Sequence, residues 1–393
     1  MKVLRDIKVV EQGTFITGPC AGMMLADLGA DVLKIESPEG DPYRSYQGKA
    51  YSPHFQAYNR NKRSLSLDLK LDADRHLFEG LVREADVYIQ NFRPGTAERL
   101  GAGPKRLQEL SPKLVYCSIS GFGTTGPYSD RPTYDSVAQA LSGFLSVIVD
   151  TERPRFMGPA LADAITGIYA AYGVLGALLE RGRTGKGRIV EVSMLEAMAH
   201  FAVEPFAAYF ALNEVPTSSD RPRLAQAYIL HTSDGGLLVI HLSSLEKFWQ
   251  GLVAAVDAPQ LAGDARFATR QARIDNYEAL GAELDASFRL RSTHEWIARL
   301  EQHDVPFAPL NHIDTVVNDP QVRHLGLMVP VEQPHGGARA VRPPVQFDGD
   351  RAQSVNAAPL LDEHGPEIRQ ALARGERWPS IRAPSSTARA RQA

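Results

Sequence analysis

The sequence predicts an α/β fold: an open, mostly parallel sheet with helices on both faces, followed by a smaller α+β unit. Three observations predict it. Short β-branched runs alternate with helical ones through the first two hundred residues, the grammar of βαβ units. A polar, proline-containing stretch, NEVPTSSDRPR from Asn213, then breaks the pattern. Beyond it, AYILHTSDGGLLVIHLS sets two β-rich runs about a Ser-Asp-Gly-Gly turn, as a hairpin does.

The elements follow in chain order. IKVVEQ reads as a strand, AGMMLADLG as a helix and DVLKIES as a strand; SLSLDL alternates, HLFEGLVREA is helical and DVYIQN extended. KLVYCSISGFG is a strand entering a glycine-rich loop, and YDSVAQALSGFLSVIV is an apolar helix. A helix from Ala164 to Leu179 leads to the strand RIVEVSM, and Leu195 to Leu212 is helical with a kink at Pro205. These boundaries predict a large domain over residues 1–212, completed by 340–373, and a small domain over 227–326. Segments 213–226 and 327–339 are the expected linkers, the second carrying a hairpin. The tail 374–393, rich in Arg, Ser, Ala and Pro, is expected to be disordered.

Length and composition exclude several classes. The chain has 393 residues, 44% hydrophobic and 23% charged, with a net charge of −3, as expected of a soluble protein without a nucleic-acid partner. Cys20 and Cys117 are its two cysteines and form no CxxC, so neither disulfides nor a zinc site is expected, and a cytoplasmic location is. Asp6 and Glu11 interrupt the N-terminus where a signal peptide needs an apolar run. The longest nearly apolar run, Ala164 to Leu179, is shorter than a bilayer span and reads as a core helix, so no membrane association is expected.

Motif chemistry narrows the choice further. No GxGxxG follows the first strand, which disfavours a nicotinamide enzyme, and RGRTGKGR lacks the upstream Gly and the Ser or Thr of a phosphate loop. No GxSxG elbow or metal-ligand spacing exists, and His231 and His241 read as structural. Loops at the carboxyl ends of strands are left as ligand sites. Gly13, Gly18 and Pro19 mark one such loop, opening onto a helix N-terminus. In NRNKRSLSLDLK, the cations Arg60, Lys62, Arg63 and Lys70 either pair with phosphates or form a solvated basic face. In NFRPGTAERLG, the residues Asn91, Phe92 and Arg93 follow the strand DVYIQ directly.

GPALADAITG sets one carboxylate, Asp163, among small and apolar residues. Its position suits a helix N-cap. It equally suits a nucleophile, because a helix N-terminus favours an ionised carboxylate and small neighbours admit a bulky substrate.

Six stretches taken together, GPCAGMMLADLGADVLKIESPEGDPYR, NRNKRSLSLDLK, ADVYIQNFRPGTAERLG, YDSVAQALSG, GPALADAITG and RTGKGRIVEVSMLEA, resemble the class III CoA-transferases. This is the family of formyl-CoA transferase, to which 2-methylacyl-CoA racemase is also related. The resemblance implies a Rossmann-like large domain within an interlocked homodimer. It implies transfer of CoA from an acyl-CoA to a small carboxylic acid through anhydride and thioester intermediates on Asp163, with no cofactor beyond CoA and no metal.

Carried over position by position, the resemblance places Ile16, Thr17, Leu67, Lys70, Asn91, Phe92, Arg93 and Arg99 around the CoA, with Tyr134 counted among them. Arg44 and Asp135 are the candidates for the substrate pocket. Two departures bear on activity. Ile16 stands where the formyl-CoA branch has Gln, and Tyr134 where the racemase branch has the His of its His-Asp pair. A phenol with a pKa near 10 is a poor mover of α-protons, so racemisation or isomerisation is the alternative, beside a catalytically silent acyl-CoA-binding protein.

Overall fold

Six β-rich runs become β1 (Lys8–Gln12), β2 (Asp31–Glu36), β3 (Arg63–Ser66), β4 (Val87–Gln90), β5 (Val115–Ser120) and β6 (Ile189–Ser193). All pair in parallel, in the order β3-β2-β1-β4-β5-β6. Val9 stands opposite both Val32 and Val87, and all three are buried because helices cover both faces of the sheet. The computed structural model describes residues 2–48, 51–243, 245–332, 338–376 and 378.

The covering helices are α1 (Thr17–Asp27), α2 (Pro53–Asn59), α3 (Asp72–Glu84), α4 (Thr96–Arg99), α5 (Pro104–Leu110), α6 (Asp135–Leu141), α7 (Leu161–Thr184) and α8 (Met194–Phe201). On one face, Ala21 and Leu25 of α1 and Ala170, Ala171 and Val174 of α7 pack on Val9, Ile89 and Cys117. On the other, Phe78, Leu81 and Val82 of α3 and Leu107 of α5 pack on Val10, Leu33, Tyr88 and Tyr116. Helices α1 and α7 cross closely: a Cβ on Gly167 would stand 2.6 Å from Cβ of Cys20. Because β2 lies to one side of β1 and β4 to the other, the loops leaving β1 and β4 diverge and open a crevice at the sheet's carboxyl edge.

Helix α7 runs 24 residues, longer than the apolar run from Ala164, and an 18-residue window within it has a mean hydropathy of 1.4, long and apolar enough to cross a bilayer by composition. The helix lies beside α1 on the sheet, and its inward side, Ala170, Ala171 and Val174, belongs to the core. The expected long helix over 195–212 is two helices, α8 and α9 (Val203–Leu212), and the break at Ala202 precedes Pro205. Pro205 then sits in the first turn of α9, where its missing N–H costs nothing.

The chain forms two units: the described residues up to Phe144, Gly158–Val203 and those from His324 onward make one, and Leu145–Met157 with Glu204–Arg323 the other. The second unit holds an antiparallel sheet of β7 (Ala227–His231), β8 (Leu237–His241) and β9 (Phe307–Pro309), with Trp249, Phe288 and Trp296 in its core. Within the segments expected as linkers lie a short helix, Asp220–Ala225, and β10 (Met328–Glu332). β10 pairs with β11 (Arg339–Val341) and with β12 (Val355–Asn356).

A final helix, Gly365–Ala373, places Ile368 in the α3 core. Disorder was expected from Arg374, but Trp378 is buried there and its indole N–H donates to Asp31 at 2.8 Å. Apolar burial plus one charge-assisted hydrogen bond outweighs the polar composition around it. Residues 379–393 and 333–337 lie outside the described residues.

Candidate active site

The crevice is built from charges that the strands bury. Glu11, near the end of β1, is fully buried and accepts from Gly13 N at 2.7 Å, Lys62 Nζ at 2.8 Å and Lys34 Nζ at 3.3 Å. Lys34 also donates to Gly13 O at 2.7 Å and pairs with Asp41 at 3.1 Å. Lys62 reaches Pro19 O at 2.8 Å and Asn59 Oδ1 at 2.9 Å. Burial alone would raise the Glu11 carboxyl, but the two ammonium groups outweigh it and hold it below the usual carboxylate range. Burial pushes Lys62 down to about 8 against the pull of Glu11. The network clamps the loop from Gly13 to Pro19 at both ends.

Inside that loop Phe15 adopts a left-handed φ of 59°, held by its N–H donating to Asp41 Oδ1 at 3.1 Å. Asn91, just past β4, bridges the crevice: its amide donates to Thr14 O and Thr17 Oγ1 at 2.8 Å each and accepts Thr14 N–H at 2.9 Å. Ile16 is buried with Cys20 and Tyr43, against Phe15, Tyr58 and Ala160. Tyr134 is exposed, its ring edge-on to Phe15 at 6.2 Å.

Asp163 is not an N-cap. Helix α7 starts at Leu161 with Ala160 in the cap position and no side-chain cap of its own. The capping acceptor comes from α6 instead: Asp135 Oδ1 takes the N–H of Ala162 at 2.7 Å and of Asp163 at 3.2 Å. Asp163 is left half-buried, and no donor among the described residues reaches its carboxylate. Burial, then the like charge of Asp135, pushes it up to about 7. Cys20, Tyr43 and Tyr58 lie close enough to feel its charge. Burial pushes Cys20 to about 11 and Tyr43 to about 12 and raises Tyr58, so these groups are neutral around pH 7.

Of the remaining residues singled out in the sequence, some face solvent and some do not. Lys70, Arg93 and Arg99 are exposed; Arg99 donates to Thr96 Oγ1 at 2.8 Å, and Arg93 has no acceptor among the described residues. Phe92 and Arg93 line a cavity of about 220 Å³ with Pro94, Tyr116, Ser118 and Glu191. Leu67, expected at the CoA, directly follows β3 and packs its side chain into the core with Phe78, Leu81 and Val82 of α3.

Arg44 is neither a surface ion pair nor a free cation for substrate. It is buried over Phe55, bidentate with Glu36 at 2.7 Å, and donates to Pro359 O at 2.9 Å. The basic run is likewise internal: Arg60 holds Asp27 at 2.6 Å, Arg63 holds Asp31 at 2.8 Å, and Lys62 holds Glu11. Neither a phosphate site nor a solvated face describes these three; only Lys70 of that run is open to solvent. Glu11, Lys34, Asp41 and Gln139 escaped the sequence reading. A signal existed for two of them, since Glu11 and Lys34 are charges set next to the apolar residues Val9, Val10, Val32, Leu33 and Ile35 of strands buried on both faces.

Comparison with known proteins bears on the chain as a whole. Residues 4–365 match the model of CoA-transferase family III. The chain is 33% identical over 384 residues to succinyl-CoA:mesaconate CoA-transferase of Haloarcula hispanica, covering 94% of this chain and 96% of that one. It is 32% identical over 379 residues to succinate–glutarate CoA-transferase of Agrobacterium fabrum, covering 93% and 94%. A solved CAIB/BAIF family protein from Brucella suis superposes with a TM-score of 0.84 at 35% identity, covering 94% of this chain and 99% of that one. The doubly wound sheet, the crevice between β1 and β4 and a match spanning nearly the whole chain lead to one assignment: this chain belongs to CoA-transferase family III.

Proposed function

We propose that Asp163 is the nucleophile with which this CoA-transferase moves CoA from an acyl thioester to a carboxylic acid. The observation that carries the reading is the state of its carboxylate, half-buried, without a hydrogen-bond donor, beside a second carboxylate. Desolvation and the missing donors make the ionised form more reactive than a solvated aspartate.

Its attack on the thioester carbonyl forms a mixed anhydride and expels CoA thiolate. The thiolate re-adds at the Asp163 carbonyl, releasing the donor acid and leaving an enzyme thioester. The acceptor carboxylate displaces CoA to a second anhydride, and the thiolate closes the cycle at the acceptor's acyl carbon, regenerating Asp163. Each step exchanges one acyl bond for another, so the cycle draws on no metal and no cofactor beyond CoA.

The loop Phe15–Thr17 flanks the acyl group, and Lys70, Arg93 and Arg99 answer the CoA phosphates. The names of the relatives favour succinyl-CoA as donor and a dicarboxylate as acceptor. Exposed apolar side chains on α7 (Ile168, Tyr172 and Leu179) and on α9 (Phe210 and Leu212) call for cover, which supports an interlocked homodimer active only as a dimer.

The test is peptide mass spectrometry after mixing with succinyl-CoA and quenching with borohydride or hydroxylamine. A mass change confined to the Asp163 peptide is expected; its absence with every thioester of a panel, despite CoA binding, overturns the reading.

A further inference from the structure

Gln139 lies one turn along α6 from Asp135 and is fully buried. Its amide nitrogen donates to Asp135 Oδ2 at 2.6 Å, while Asp135 Oδ1 receives the first-turn N–H groups of α7. The amide oxygen of Gln139 has no partner among the described residues. A buried amide satisfied at one end only is retained at a cost in stability, and the end that is satisfied is the one facing Asp135.

We propose that Gln139 is a positioning residue of the transfer reaction: it holds the Asp135 carboxylate against the first turn of α7, so that Asp163 does not cap its own helix and stays available to the thioester. The proposal rests on Asp163 being the nucleophile. Two acceptors compete for the same N–H groups, and the carboxylate that wins them is stabilised and made less nucleophilic. With the Gln139 donor in place, Asp135 wins. Without it, Asp135 either leaves α7, letting Asp163 turn onto its own helix start, or takes up a proton, removing the like charge. Both responses lower the pH at which Asp163 ionises. The other groups facing Asp163, Cys20 from α1, Tyr58 from α2 and Tyr43 from the turn Pro42–Gly48, are neutral around pH 7 and leave Asp135 as the controlling charge.

Gln139→Met keeps the volume and removes the donor. The rate at which a water-soluble carbodiimide labels Asp163, followed by peptide mass spectrometry across pH, reads the protonation midpoint without any thioester. The midpoint is expected to fall by at least about one pH unit and kcat by roughly tenfold, with KM for the acyl-CoA unchanged. Asp135→Asn serves as the second variant, because its amide still caps α7 and its NH2 is received by the free Gln139 oxygen; it should lower the midpoint at an unchanged melting temperature. A correctly folded Gln139→Met with midpoint and kcat of the wild type overturns the proposal, as does Asp135→Asn with an unmoved midpoint should the first variant not fold. A wild-type protein that forms no thioester-dependent adduct on Asp163 removes the nucleophile and this proposal together; an adduct with unmoved midpoints removes this proposal alone.

Discussion

The Asp135 carboxylate accepts the backbone N–H of Asp163 at 3.2 Å, so one acidic residue caps the helix on which the other is displayed. This division of labour separates the structural task of a carboxylate at a helix start from the chemical one. It also places two carboxylates side by side, and the charge of Asp135 adds to burial in favouring the protonated form of Asp163.

Replacing Asp163 by Asn should abolish transfer, a loss of at least about 10³-fold in kcat, while CoA binding persists in calorimetry. The same variant should be more heat-stable than the wild type at alkaline pH. Asp163 is pushed up to about 7 when folded, above its unfolded value of 3.8. The folded state therefore holds this proton more tightly, and that contribution to stability is fully present below pH 3.8 and lost as the pH rises through about 7. Asn lacks the loss, so melting curves of the two proteins should separate above pH 7 and converge in acid.

The wild-type enzyme should show an acid limb in the rate of Asp163 adduct formation, rising as the pH passes about 7. Rapid-quench mass spectrometry across pH reads it directly. A limb near 4 would mean that Asp163 ionises like a solvated aspartate and that burial and Asp135 do not govern it.

Lys62→Met should cost about 3–5 kcal/mol in denaturant unfolding, because it removes one of the two cations that neutralise buried Glu11. Activity should fall further than stability explains, since Pro19 O and with it the loop beside Asp163 lose their anchor.

Arg93→Ala and Arg99→Ala should each raise KM for the acyl-CoA roughly tenfold with little change in kcat, as expected for lost phosphate contacts. The effect should shrink at high salt. Arg44→Ala is the contrast: Glu36 would keep its charge without its partner, so protein yield and melting temperature should drop before any kinetic constant moves.

The strands and their helices were legible because each follows from a local period. Alternating or continuous apolar runs marked β1 to β6, and 3.6-residue periodicity marked α3 and α7. Asp163 was legible as a lone carboxylate in a small-residue setting. Its charge environment was not, because it is set by Asp135 on another helix. Arg44, Arg60, Lys62 and Arg63 misled for the same reason: a cation in a string looks available, and whether it is depends on partners such as Glu11, 51 positions from Lys62.

By itself, then, the sequence determined the doubly wound α/β plan and the candidate nucleophile, since these rest on spacing within one element; the two units divide at Val203 and Arg323, away from the stretches at Asn213 and Leu327 that the composition marked. Only the tertiary structure decided which charges are consumed in the interior, that the side chains of Leu67 and Arg44 are packed inside, and that Asp135 caps the helix carrying Asp163. Those outcomes depend on desolvation and on distances between groups far apart in the chain, quantities that no local pattern encodes.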